Sequence, residues 1–383
     1  MAVKRTLQPI THQSFFLFGP RGTGKTSWLK EHYPDSLYIN LLLHKNFFQL
    51  SKNPDLLISL ILPEHKGKPI IIDEVQKVPA LLDVVHTLIE EQKLNFILTG
   101  SSARKLKQKG VNLLAGRARK KEMHPLTALE LGDRFNLKFA LEHGQLPTVY
   151  NVDDPKEYLD SYVGTYLQEE VQGESLVRNL NVFHRFLEAA TFSQASILSV
   201  LNIAKDCKID RNTAESYFGI LEDLLIAIRL PVFNKKAKRK TITHRKFYYF
   251  DVGVFRALRP TGPLDLDSEL NGIALETLIF QELRAYQAYS KKKSDLYFWR
   301  SVKDEEVDFI LYGEIGLRAI EVTISSRMNH ADFESLLEFK KDYPIAQLYY
   351  LYTGDQRLVI QGIQVIPVDY FLKNMNSIFD EVI

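Results

Sequence analysis

The 383-residue sequence predicts an α/β protein of three regions, and three observations lead there. Up to about residue 130, short β-rich runs alternate with helical patterns, the layout of a parallel sheet with crossover helices. From about 155 to 230 the pattern is almost wholly helical. The remainder returns to strands around one long helix. Length agrees, at about 150 residues per domain. We place the regions at residues 1–135, 136–232 and 233–383.

In the first region, SFFLFG (14–19), SLYINL (36–41), PIIIDEV (69–75) and NFILTGS (95–101) read as strands. The last three are apolar on both faces, as buried parallel strands are. TSWLKEHY and VPALLDVVHTLIEEQ between them have helical spacing. The middle region contributes KEYLDSYVGTYLQEEV, NVFHRFLEAATFS, SILSVLNIAKDC and the run RNTAESYFGILEDLLIAIRL, read as a helix to its end. The third opens with a strand KFYYFDV, has a helix over about 269–290, and continues with strands around LYFWR, EVDFILY, RAIEVTI and QLYYLYT.

Composition is ordinary for a globular protein, with 45% hydrophobic and 25% charged residues, which sets aside disorder and coiled-coil readings. The single cysteine, Cys207, excludes an internal disulfide and a Cys-rich zinc module, and fits a reducing compartment. The N-terminal residues carry no apolar signal segment and no apolar run nears membrane-spanning length, so a cytoplasmic protein without membrane contact is expected.

Chemistry enters with Gly19-Pro20-Arg21-Gly22-Thr23-Gly24-Lys25-Thr26, a G-x-x-x-x-G-K-[ST] loop between a strand and a helix. Glycines let the backbone wrap a polyphosphate, and amides at a helix N-terminus supply positive potential. Lys25 is placed to reach the β/γ-phosphates, and the Thr26 hydroxyl to ligate Mg²⁺. The buried run Ile70-Ile71-Ile72 ends in Asp73-Glu74: the first acid suits the Mg²⁺ ion, the second the attacking water. Thr99 or Ser101, one strand over, offers a hydroxyl to the γ-phosphate or water. No N-K-x-D guanine-reading motif occurs, so ATP is preferred to GTP.

The net charge of +2 averages over two acid-free basic stretches. One includes residues 104–121, with Arg104, Lys105, Lys107, Lys109, Arg117, Arg119, Lys120 and Lys121. The other spans 235–246, with Lys235, Lys236, Lys238, Arg239, Lys240, Arg245 and Lys246. Both suit nucleic-acid phosphates, and a solvated charged face is the equal alternative. Arg117 is the candidate for stabilising transition-state charge. Between them, two short helices around Asp206-Cys207-Lys208 have the pattern of a helix-turn-helix. Asp210 is its N-cap, with Arg211, Asn212 and Ser216 facing outward; helical packing between domains is the competing reading.

The third region holds three carboxylates of interest. In EVDFILYGEIGLRAIEVTIS, a turn centred near Glu314-Ile315 sets Asp308 opposite Glu321, with Cβ atoms about 4.5–5.5 Å apart. Glu276 interrupts the apolar stripe Ile273–Phe280–Leu283 of the long helix. A shared metal would satisfy all three; ion pairs with Arg300 or Arg318 would do so as well.

FGPRGTGKTSWL, IIIDEVQKVPALL, LTGSSARKL and LLAGRARKKEMHPLTALE, with the weaker GQLP, KFYYFDVG and ALE…EVDF…IEVT, resemble the AAA-type ATPases of bacteria and archaea. Those proteins carry a C-terminal domain of unknown function with a restriction-endonuclease-like core. The resemblance implies an N-terminal P-loop NTPase, a helical, winged-helix middle and an α/β restriction-endonuclease-like C-terminus. It assigns Gly19–Thr26, Asp73, Glu74 and Ser101 to the nucleotide site and Arg117 to an arginine finger acting in an oligomer. The nuclease metal site of that fold reads Asp…Glu-x-Lys, but here Glu321-Val322-Thr323 puts threonine at the lysine position, leaving Lys303 or Lys340 as substitutes. The leading expectation is therefore an Mg²⁺-dependent ATPase coupled to nucleic-acid or partner binding. An ATP-regulated, metal-dependent DNase and a protein switch indifferent to DNA are the alternatives.

Overall fold

Strands apolar on both faces can only be buried between two layers, and the first region follows that rule. β1 (Phe15–Phe18), β2 (Tyr38–Asn40), β3 (Ile70–Asp73), β4 (Phe96–Gly100) and β5 (Arg119–Glu122) form one sheet in the order β2-β3-β4-β1-β5, parallel throughout. The helices Lys25–His32 and Leu81–Gln92 cover it as expected. Ile70, Ile72, Phe96, Leu98, Leu82, Val85 and Leu88 belong to one buried core. The structure, a computed structural model, describes residues 3–100, 114, 117–167, 177, 179–234, 244–263, 265–301, 303–328 and 330–380. β5 is a departure from the sequence reading: RKKE belongs to the first basic stretch, where no strand is expected, yet it pairs with β1 as an edge strand.

The chain forms two compact units. One comprises Arg5–His124 and Asp223–Leu225; the other comprises the N-terminal residues to Lys4, Pro125–Glu222 and Ile226–Ile383. In the second unit, a three-stranded antiparallel sheet has the order β6-β8-β7, from β6 (Ser196–Ile197), β7 (Ala227–Leu230) and β8 (Lys246–Tyr249). It accompanies the helices Leu180–Thr191, Val200–Asp206 and Arg211–Asp223. The last helix was expected to continue through LLIAIRL. Instead it ends at Asp223, Leu225 takes a positive φ of 59°, and Ala227–Leu230 pairs with β8. An apolar run of this kind satisfies strand and helix patterns alike, and the partner strand decides.

A six-stranded mixed sheet completes the unit: β9 (Ser294–Arg300), β10 (Glu306–Gly313), β11 (Gly316–Val322), β12 (Gln347–Tyr352), β13 (Leu358–Ile360) and β14 (Ile363–Pro367), in the order β13-β14-β12-β11-β10-β9. The β10–β11 hairpin turns at Gly313↔Gly316, and its ladder runs to Phe309 opposite Ile320, the register expected of a turn centred near Glu314-Ile315. Residues of the helices Asp267–Tyr289 and Val368–Asp380 share one core with Ile320 and Leu351, while Leu336 and Phe339 share another with Ala319 and Tyr350. The sheet thus has apolar cover on both faces. No described helix is long and apolar enough to cross a membrane.

The unit's core also buries two carboxylates. Asp251 accepts the backbone N–H of Gln145 at 2.8 Å and of Gly253 at 2.9 Å, capping the helix Val252–Leu258. Glu282 accepts the Ala128 N–H at 2.7 Å and the Gln145 side-chain amide at 2.9 Å. Gly144 is required here: its φ is +70°, and a Cβ would meet Asp251 Oδ1 at 2.2 Å. Burial pushes the Glu282 carboxyl from 4.5 up to about 8 and that of Asp251 from 3.8 to about 6, against the hydrogen bonds that lower both.

Both native pKa values are raised, so the folded unit binds more protons than the unfolded chain, and its stability declines as pH rises from about 4.5 to about 8. The chain has two tryptophans, Trp28 in the first unit and Trp299 in the second. Urea melts of a Trp28→Phe protein followed by Trp299 fluorescence should show that decline, and Glu282→Gln should make it shallower, with the raised Asp251 and Asp308 carboxyls keeping part of it.

Candidate functional site

The loop between β1 and the helix Lys25–His32 is held in shape by its own sequence. Gly22 and Gly24 adopt φ values of 83° and 92°, in the left-handed region where a Cβ is strained. Gly19 has a different role: a Cβ there would lie 2.4 Å from the Met123 carbonyl oxygen. The Thr23 hydroxyl donates to the Pro20 carbonyl at 2.9 Å, and the Arg5 guanidinium donates to the Thr23 and His124 carbonyls at 2.8 and 2.6 Å. Sequence reasoning missed Arg5, which braces the loop from far back in the chain. The Lys25 ammonium donates to the Gly19 and Pro20 carbonyls at 2.7 and 3.1 Å, folded over its own loop. Arg21 is exposed.

Asp73, at the end of β3, is 3% exposed and gathers the neighbouring hydroxyls. Thr26 donates to its Oδ2 at 3.3 Å, Tyr38 donates to the same oxygen, and Thr99 donates to Oδ1. Thr99 also accepts the Glu74 N–H at 3.1 Å. Of the two hydroxyls proposed on β4, Thr99 is therefore joined to both acids, while Ser101 lies outside the described residues. Glu74 takes a left-handed backbone (φ 63°, ψ 46°), and its Oε2 accepts the Gln76 amide. Burial and Asp73 together raise the Tyr38 phenol well above its usual range, keeping it a donor. Tyr38 too was missed, because nothing local marks a strand tyrosine as facing a carboxylate 35 residues away in sequence. With Thr26 and Asp73 converging, the residues fit a nucleotide-bound Mg²⁺. Arg117 pairs with Glu90.

The carboxylates of the second unit assemble differently from the expectation. Glu276 and Asp308 do meet, joined by Glu306, but around an ammonium. Lys246 Nζ lies 2.9 Å from Glu276, 2.5 Å from Glu306 and 3.3 Å from Asp308. This corrects the sequence reading twice. Lys246 was counted in the basic stretch 235–246 as a phosphate-facing residue, yet it is 1% exposed. Lys303 and Lys340 were the candidates for the displaced lysine, and neither pairs with these acids among the described residues. Asp308 Oδ2 accepts the Val322 N–H at 3.0 Å, and Tyr248 donates to Glu276 at 2.6 Å. Burial and Glu276 push the Asp308 carboxyl up to about 7, and burial with Asp308 raises that of Glu321 well above the usual range. Arg211, Asn212 and Ser216 are exposed as expected, and Asp210 caps their helix by accepting the Thr213 N–H at 2.9 Å. Of the basic stretches, residues 101–113 and 235–243 lie outside the described residues.

Residues 11–132 match the AAA domain family, and the parallel sheet of the first unit agrees with that match. Residues 134–268 and 271–371 match two domains of unknown function, DUF8612 and DUF4143. An uncharacterized protein of Methanocaldococcus jannaschii is 27% identical over 337 residues, 78% of this chain and 72% of that one. One from Haemophilus influenzae is 22% identical over 327 residues, 79% of this chain and 77% of that one. The Aeropyrum pernix ORC1 protein, solved in complex with DNA, superposes with a TM-score of 0.27 at 14% identity, covering 64% of this chain and 86% of its own; at that score the likeness carries no argument.

The Gly19 contact yields a direct test. Gly19→Ala should destabilise the first unit by about 1–3 kcal/mol through overpacking against Met123, measured by urea denaturation followed at Trp28 in a Trp299→Phe background.

Proposed function

We propose that this protein hydrolyses ATP and couples the reaction to nucleic-acid binding by its second unit. The observation that carries the ATPase half is the meeting of Lys25, Thr26, Asp73, Glu74 and Thr99 at the carboxyl ends of adjacent parallel strands. In this reading the loop amides and Lys25 bind the polyphosphate, Lys25 exchanging the Gly19 and Pro20 carbonyls for phosphate oxygens. Thr26 and Asp73 hold the Mg²⁺ that accompanies ATP and offsets its charge. Glu74 takes the proton of the attacking water once it leaves the Gln76 amide, and Thr99 keeps Asp73 and the Glu74 backbone in place. Ser101 contacts the γ-phosphate, and Arg117 acts on a neighbouring copy after parting from Glu90.

The nucleic-acid half is supported by topology. Helix, β6, helix, helix, β7 and β8 follow one another in the order of a winged helix, with the third helix presenting Arg211, Asn212 and Ser216 to solvent. Lys235, Lys236, Lys238, Arg239 and Lys240 fall in the sequence between β7 and β8, where a wing would be.

Lys25→Ala should lose ATP binding, whereas Glu74→Gln should keep it and lose turnover by about 10²–10⁴-fold; wild-type hydrolysis by Glu74→Gln would refute the base assignment. ATPase activity measured with DNA or RNA should be stimulated, and the stimulation should fall steeply across a salt series as phosphate contacts are screened. Indifference to both nucleic acids at every salt concentration would leave a protein partner as the coupled ligand.

A further inference from the structure

The nuclease-like reading of the C-terminal region implies a divalent ion held by Glu276, Asp308 and Glu321, and the residues present do not fit one. The position is taken by a side chain. An ammonium has three N–H donors, and Lys246 has a separate carboxylate for each: Glu276, Glu306 and Asp308. Further contacts fix these three acids around the ammonium, while the buried Glu321 Oε2 has no hydrogen-bond partner among the described residues. Asp308 Oδ2 accepts the Val322 N–H, Glu306 Oε2 accepts Arg300 at 3.1 Å, and Glu276 Oε1 also accepts the Tyr248 hydroxyl. Among the described residues, no three Asp, Glu, His or Cys side chains are placed to hold a metal ion.

Nor is the lysine free to withdraw. It sits on the central strand of its sheet, paired with Ile197 of β6 on one side and Leu230 of β7 on the other. Its ammonium also lies 5.7 Å from the centre of the Phe298 ring. With every N–H engaged, it has none left for an attacking water or a scissile phosphate. Thr323 supplies no second ammonium.

We propose that Lys246 is the resident cation of this cluster, and that the C-terminal core takes no divalent ion and does not cut DNA. A strand of the small antiparallel sheet delivers to the carboxylates of the larger sheet and the long helix the positive charge that a metal supplies in the nuclease fold. The cluster then serves as a bolt between the two sheets. This stands independently of the ATPase assignment, and its test is chosen accordingly.

The probe is Mn²⁺ alone, without nucleotide, followed by loss of the free-ion electron paramagnetic resonance signal. An Asp73→Asn background silences the N-terminal metal position. In that background, adding Asp308→Asn is expected to leave the Mn²⁺ titration unchanged. A tenfold or greater loss of Mn²⁺ affinity on adding Asp308→Asn would overturn the proposal, and this comparison leaves Lys246 intact. Lys246→Met, where its thermal melt shows a folded protein, is expected to gain one Mn²⁺ site that Asp308→Asn removes, while Lys246→Arg gains none. A folded Lys246→Met protein with no new site would overturn the claim that the ammonium holds the cation's place. Plasmid DNA incubated with the wild-type chain and Mn²⁺ is expected to stay intact; cleavage abolished by Asp308→Asn would also overturn the proposal.

Discussion

A carboxylate taken out of water must be met by donors that do not leave, and the architecture of this chain is organised around meeting that demand. Asp251 is the plainest case. It is fully buried, and the backbone amides that saturate it come from Gly253 and Val254 beside it and from Gln145 far away in sequence. For Gln145 to arrive, the chain at Gly144 has to pass so near that no side chain fits, and Gly253 is as tightly placed against the His143 carbonyl. The GQLP and KFYYFDVG segments are thus two halves of one contact. The side-chain amide of the same Gln145 donates to Glu282 on the long helix, so one residue, through its backbone and side-chain N–H groups, ties three distant segments into a single core.

The two functional clusters answer the demand with different donors, and the difference separates their chemistry. Around Asp73 the donors are hydroxyls of Thr26, Tyr38 and Thr99, neutral groups that rotate and can be exchanged for a ligand's partners. Around Glu276, Glu306 and Asp308 the donor is an ammonium built into a sheet. A hydroxyl shell brings no countercharge to the aspartate and leaves a site that can be remodelled. A buried ion pair instead loses much on being broken, because an unpaired charge is left behind.

Much of this was written in local pattern. The first four strands of the parallel sheet, the loop at 19–26, and the β10–β11 register all follow from residue alternation, glycine placement and apolar runs, signals that need no knowledge of distant partners. What failed to show needed such knowledge. Arg119–Glu122 became a strand because β1 had an open edge, and Ala227–Leu230 because β8 lay beside it. Lys246 read as one more cation in a basic run, since the three acids that bury it lie 30 or more residues onward. Arg5 and Tyr38 carry no motif of their own and acquire a role only through what the fold brings to them.

The parallel sheet closes on one side with β5, whose sequence is Arg119-Lys120-Lys121-Glu122. An edge strand offers unpaired backbone groups to any passing strand, the route by which sheets fuse between molecules. Two such edges approaching each other would each bring three cations and one acid, Glu122, which already pairs with Lys120, so like charge would predominate at the contact. The charged strand therefore works as a terminus for the sheet on this side, and it disfavours self-assembly through the β5 edge.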